Sequence, residues 1–247
     1  MKKVNLFLLF HAVCVAMGLL TGCKADLGDC FTASGPIVTE RRNIAAFQKL
    51  EVLDNVDVIW HQSDSVYALV TAGQNLLSGI RTQTNGATLS ISNQNSCNWT
   101  RRYDQPCMVH LYSPPPDAVA IRGFGDIKTA DTLRRTSMLL QHYGASDVEI
   151  KVRAEAMYVD FNSPATLLLT GGCATGSYNI QNFGKVNGLG FAMGVCRLKM
   201  EGENNVRIAV TDTLLGTHLS NRTVFLKGNP VNLLEYKAGG RVVTVPD

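Results

Sequence analysis

Two aspartates, Asp126 and Asp147, have the setting in this chain that best suits acid–base chemistry. Each closes a corner of small residues, Gly123-Phe124-Gly125-Asp126 and Gly144-Ala145-Ser146-Asp147, and each is followed by an apolar residue. Carboxyl groups held roughly 5–9 Å apart cleave glycosidic bonds, one donating a proton and the other acting as nucleophile or base. Aspartate is also an ordinary corner residue, because its side chain accepts from backbone amides close by. The matching positions further along are Ala165, Lys185, Asn205 and Thr223, so the acidic pattern ends after two corners. The turn role is favoured, and calcium finds no further ligands at set spacing. His61, His110, His142 and His218 are scattered through strand-like segments, without a Gly-x-Ser-x-Gly elbow or a Cys–His signature. No Cys-x-x-Cys or His-x-x-x-His spacing suggests zinc. Gly171-Gly172 and Gly188-Leu189-Gly190 precede no helix that would make them phosphate loops. No catalytic residue, metal or cofactor is expected.

The cysteines carry more information, and their context is set at the N-terminus. Lys2 and Lys3 are followed by a stretch, Val4 to Leu20, that is apolar except for Asn5, His11 and Gly18. It is shorter than the roughly 20 residues of a spanning helix, and small residues follow at once. Leu20-Thr21-Gly22-Cys23 resembles the lipobox of bacterial lipoproteins. That resemblance implies a signal peptide over 1–22, cleavage before Cys23, a diacylglyceryl group on its sulfur and an acyl group on its new amine. One acyl chain anchors marginally, whereas two or three hold a domain on a bilayer almost permanently. The alternatives are an ordinary signal peptide with a stray cysteine, or an uncleaved helix. Lys24 lacks the aspartate that suggests inner-membrane retention in some bacteria, so an outer-membrane lipoprotein is expected, facing the periplasm or the exterior. Without Lys2 and Lys3 the formal charge falls from +3 to +1 over Cys23 to Asp247, which offers no field for nucleic acid.

Cys30, Cys97, Cys107, Cys173 and Cys196 remain, an odd number that allows at most two disulfides in an exported protein. Cys97 can be matched with Cys30, or with Cys107 across a local loop. That loop holds Trp99, Arg101, Arg102 and Tyr103. Aromatic and arginine side chains of this kind form binding patches for carbohydrate or a partner protein. Trp99 equally suits a cap over the open end of a core.

These residues must be held by strands. Val52, Val56, Val58 and Trp60 alternate with polar partners. Val66 to Val70, Ile80 to Thr84 and Thr88 to Ser92 follow, the last two divided by the hairpin signal Asn85-Gly86. Val109 to Tyr112 runs into Pro114-Pro115-Pro116, which cannot continue a ladder. The one helical candidate, Ala130 to Met138, has no apolar stripe. In the second half, corners of glycine, asparagine or proline precede Ile127, Val148, Thr166, Val186, Val206 and Val224 at nearly even intervals. A degenerate repeat of about 20 residues suits a β-solenoid whose coils stack about 4.8 Å apart. The apolar residue after each corner points inward, and Cys173 and Cys196 fall close to one rung apart, within reach of a bridge between coils. An antiparallel sandwich with evenly spaced turns is the alternative.

Arg41-Arg42-Asn43 to Phe47, Leu50-Glu51-Val52 and Asp57-Val58 resemble the opening of the GIN-type head domain of putative autotransporter adhesins. Gly123-Phe124-Gly125-Asp126-Ile127 is similar to that family's Gly-Ser-Gly-Asp turn, and His218-Leu219 to Gly228-Asn229-Pro230 to its closing segment. Phe124 departs from the small polar residue of that turn, and Cys173 and Cys196 lie outside the pattern. The resemblance implies an all-β, right-handed solenoid-like domain with no assigned chemistry, over Arg41 to Tyr236. The expected organisation is a signal at 1–22, a lipidated tether at 23–40, a single head domain at 41–236 and a tail at 237–247. The expected role is a lipid-anchored, non-enzymatic, adhesin-like envelope protein that meets carbohydrate or an envelope or host protein. A glycan-active enzyme using Asp126 and Asp147, and a self-associating structural protein forming homo-oligomers, are the alternatives.

Overall fold

Alternation of apolar and polar residues makes every strand two-faced, and each must bury one face against another part of the chain. The structure, a computed structural model, describes residues 33–95 and 106–246. It answers with 17 strands in one continuous sheet that winds on itself. They are β1 (Ile37–Asn43), β2 (Lys49–Val52), β3 (Asp57–Gln62), β4 (Tyr67–Gly73), β5 (Ile80–Asn85), β6 (Thr88–Asn93), β7 (Met108–Ser113), β8 (Ala118–Ile121) and β9 (Ile127–Thr129). The second half holds β10 (Leu133–His142), β11 (Val148–Asn162), β12 (Thr166–Gln181), β13 (Lys185–Met200), β14 (Val206–His218), β15 (Thr223–Lys227), β16 (Val231–Tyr236) and β17 (Arg241–Val245). The helical candidate at Ala130 to Met138 belongs to β10.

Parallel pairing places Ile127, Val148, Leu167, Val186, Val206, Val224 and Val242 over one another in a single column. The result is a β-solenoid of about 7 turns of about 19 residues. The column differs from the sequence spacing at one place. Leu167, not Thr166, points inward; Thr166 stands beside Lys185 at the corner position that the spacing gives to Ala165. Its amide is bound there by the Asp147 carboxylate, so the corner runs over residues 163–166, one position later than the spacing suggests and no longer than its neighbours.

Strands β11 to β14 are long enough to bend from one face of the coil to the next. Their first halves continue the face begun by β7, β3 and β9; their second halves continue the face begun by β6, β2 and β8. Chain order and stacking order part company in the first half. The coil β2–β3 is made first, yet it lies between β6–β7 and β8–β9, pairing with both. Beyond β7, β4 and β1 add antiparallel strands, and β5 folds antiparallel onto β6. The β5–β6 turn is the expected Asn85-Gly86 hairpin, with Gly86 at φ +56°, a conformation that suits glycine. Strand β1 begins inside the expected tether, and β17 pairs with β15 inside the expected tail, so the head runs past both proposed ends.

The core is a stack of inward rows. One reads Ile121, His142, Phe161, Ile180, Met200 and His218. His142 is fully buried with its ring edge toward Phe161 at 5.2 Å, and neither of its nitrogens makes a well-formed hydrogen bond. Burial lowers its pKa to about 4, against a weaker upward pull from the Ser146 backbone and the Asp147 charge. A histidine whose folded pKa lies below its unfolded value of about 6.5 costs stability only where the unfolded chain takes the proton first. Folding free energy should therefore fall between about pH 6.5 and 4 by about 3 kcal/mol on account of this residue. His142→Leu should flatten that part of the profile in urea titrations at stepped pH. An unchanged slope would show that His142 is not held neutral.

Candidate functional site

The corner aspartates are the first candidates, and the register brings a third, Asp57, into their column through Val58, Ile127 and Val148. Sequence spacing could not find Asp57, because its coil is out of chain order. The Asp126 amide donates to Asp57 Oδ1 at 2.9 Å, and the Thr166 amide to Asp147 Oδ1 at 2.9 Å. On a later coil the Thr223 amide donates to Asn205 Oδ1, also at 2.9 Å. These side chains bridge one coil to the next as backbone caps, a task asparagine performs as well as aspartate. Among the described residues no three His, Cys, Asp or Glu side chains converge as a metal site.

The cysteine bridge between coils is overturned. One full coil carries Cys173 to a place beside Met193, while Cys196 stands beside Gly176, and the two cysteines do not face each other. Both are free, buried thiols. Burial raises Cys173 to about 11 and Cys196 to about 12, and the Cys173 thiol donates to the Thr175 carbonyl at 3.2 Å. Cys107 is also free, raised to about 12 by burial and by Asp57. Cys23, Cys30, Cys97, Trp99, Arg101, Arg102 and Tyr103 lie outside the described residues.

Two surface features escape the sequence pattern because they join distant segments. On the first face Tyr67, Tyr112 and His61 stack as a ladder across β4, β7 and β3. Their centroids are 4.5 and 4.4 Å apart, with planes 6° and 8° from parallel. Arg41 covers the outer ring at 4.0 Å, and His61 Nε2 shares a hydrogen bond with His110 Nδ1 at 3.0 Å. Burial, and then the neighbouring His61, lower the His110 pKa. The rings cover one another's faces, so this ladder clamps strands together and leaves no platform for a ligand.

The second face carries a polar network. Arg122 pairs with Glu51 at 3.1 Å and lies over Tyr143 at 5.1 Å. Tyr143 donates to Asp160, which raises its pKa, and Asn179 donates to the other Asp160 oxygen at 3.0 Å. Lys199 meets Glu201 at 2.9 Å and Gln181 donates to the same carboxylate at 3.0 Å, which together lower the Glu201 pKa. Beside this network, Tyr158, Ser177, Arg197 and Leu215 form the neighbouring outward row. A groove of about 300 Å³ lies along it, lined also by Thr175 and Val195. It is a candidate site on this face. Both its walls and its floor come from equivalent positions on successive coils.

Two outcomes test these assignments. Asp147→Ala should cost about 1 kcal/mol in chemical denaturation, Asp147→Asn much less and Asp126→Ala least, since a lost cap and not a lost charge is at issue. Equal losses for the alanine and asparagine variants of Asp147 would contradict the cap. Cys173 and Cys196 should resist a thiol reagent in the native chain and react in denaturant without reductant. Failure to react after unfolding would indicate a bridge.

Similarity to known proteins bears on the whole head. A "putative adhesin" of Bacteroides fragilis NCTC 9343 shares the fold with a TM-score of 0.75 at 15% identity, over 85% of this chain and 97% of that one. A second "putative adhesin", from Parabacteroides distasonis ATCC 8503, gives 0.67 at 17% identity over 85% and 98%. A "putative lipid binding protein" of the same organism gives 0.64 at 16% identity over 87% and 98%. At these identities the likeness speaks for the fold alone. No curated protein matches the chain. The family described as "putative auto-transporter adhesin, head GIN domain" matches residues 46–230, three quarters of the sequence, and the chain belongs to that family.

Proposed function

We propose that this chain is a lipid-anchored, non-enzymatic binding head of the adhesin type, held on the outer membrane through Cys23 and presented to the cell exterior. The observation that carries this reading is the second face. There, side chains from successive coils form straight outward rows, the geometry for engaging an extended partner by many small contacts. Asp57 and Asp147 act as caps on neighbouring amides, which supports a binding role over acid–base cleavage. Family membership points the same way. Among the described residues no helix is long and apolar enough to cross a membrane, and attachment through lipid on Cys23 answers how such a head stays with the cell.

Metabolic labelling with an alkyne palmitate should mark the wild-type chain and leave Cys23→Ala unmarked. Protease added to intact cells should remove the head while sparing periplasmic markers. Label retained on the Cys23→Ala chain would overturn the anchor; a head protected until the outer membrane is opened would overturn surface presentation.

A further inference from the structure

We propose that the groove between Tyr158 and Arg197 takes a carboxylate-bearing sugar residue, a uronic-acid unit within a glycan. The inference rests on the binding-head reading above and names its ligand class.

The register builds the groove. Tyr158, Ser177 and Arg197 come from three successive coils, paired in turn, so Tyr158 and Arg197 stand about 9.6 Å apart at the backbone, two strand spacings of about 4.8 Å. Between them the Gly176 backbone and the short Ser177 side chain supply a floor with little bulk. The space, about 300 Å³, is at the small end of ligand pockets, the size for one sugar ring with its chain continuing along the row. One wall is an exposed aromatic ring, Tyr158 being 48% accessible. Such a ring offers its face to the C–H face of a pyranose and its hydroxyl to the rim.

Charge decides the class of sugar. Arg122, Arg135 and Arg222 are each matched by a carboxylate, from Glu51, Asp117 and Glu203. Arg197 is exposed and has no ion pair or hydrogen bond among the described residues. Two acids in the rows beyond are already engaged, Asp160 by Tyr143 and Asn179, and Glu201 by Lys199 and Gln181. An arginine left unneutralised beside an aromatic wall is a fork for a planar carboxylate, which it grips by two parallel hydrogen bonds. Ser177 lines the same space and offers its hydroxyl to a hydroxyl of the sugar; Thr175, also in the lining, donates its own to the Glu155 carbonyl at 3.4 Å.

The test uses the full chain in detergent and a tetrasaccharide alternating glucuronate with N-acetylglucosamine, against the neutral tetramer of N-acetylglucosamine. Saturation-transfer NMR should show the acidic oligosaccharide bound and the neutral one bound at least tenfold more weakly. Arg197→Ala should weaken the acidic ligand roughly tenfold, the scale of a lost charge-assisted bond. Arg197→Lys should recover part of that loss, and Tyr158→Ala should weaken both sugars with the far-ultraviolet circular dichroism unchanged. Equal binding of the two sugars would overturn the carboxylate, and wild-type affinity in Arg197→Ala would overturn the groove. A glutamate-rich peptide that binds as tightly as the sugar would overturn the saccharide. If neither sugar binds while cells displaying the chain still adhere to glycan- or protein-coated surfaces, the groove assignment fails and the binding-head reading stands. If such cells adhere to nothing, the binding-head reading fails with it.

Discussion

In a parallel β-solenoid each strand's amides and carbonyls are answered by the coils above and below, and the ladder fixes which residues stand next to one another. A coil that is one residue too long must absorb the excess locally or flip its side chains to the wrong face. Strand β13 shows the first outcome: its register against β12 slips by one residue between the Leu168–Asn187 and Thr170–Gly190 pairs, and the inward rows on either side stay aligned. The same register that buries Ile127, Val148, Leu167, Val186 and Val206 in one column sets the outward residues in rows. The groove beside Tyr158 and Arg197 is therefore a consequence of the core's spacing, expressed on the face that follows.

Order in the chain is a weaker constraint than order in the stack. The β2–β3 coil sits between two coils made after it, and the antiparallel strands β4 and β1 finish that end of the sheet. The Tyr67, Tyr112 and His61 ladder crosses the place where parallel pairing gives way to antiparallel, with Arg41 over its last ring. Cross-strand pairs of this kind contribute roughly 0.2–1 kcal/mol each, enough to bias the register where no repeat dictates it. At the other end, Asn232 of β16 donates to the exposed Tyr236 hydroxyl at 3.1 Å, and Pro230 and Pro246 flank the two last strands. Proline and charge at an edge discourage further pairing.

The sequence carried the all-β class, the hairpin at Asn85-Gly86 and the repeat of the second half, because each is a local pattern of corners and alternation. It misplaced Thr166 by one position, since Ala165 and Thr166 are both small enough to end a turn. It paired Cys173 with Cys196 because their spacing resembles one coil until the register shows Met193, not Cys196, beside Cys173. The β2–β3 insertion left no local trace, and with it went Asp57 and the aromatic ladder, whose members lie far apart in the chain. Tyr158, Ser177 and Arg197 follow one another at the interval of the repeat, so the groove was within reach of it. It stayed hidden because an outward serine between a tyrosine and an arginine means nothing until the register sets them side by side.

Register is thus the claim on which core, rows and groove all depend, and its least local element is the insertion of the first coil. Leu50 is paired with Leu89 on one side and with Val119 on the other, and all three are buried. Methyl-labelled NMR of the protein measures this directly. The expected result is strong nuclear Overhauser contacts from Leu50 to both Leu89 and Val119, with none between Leu89 and Val119 of comparable strength. A direct Leu89 to Val119 contact with Leu50 absent from both would mean that the coils stack in chain order, and would contradict the account.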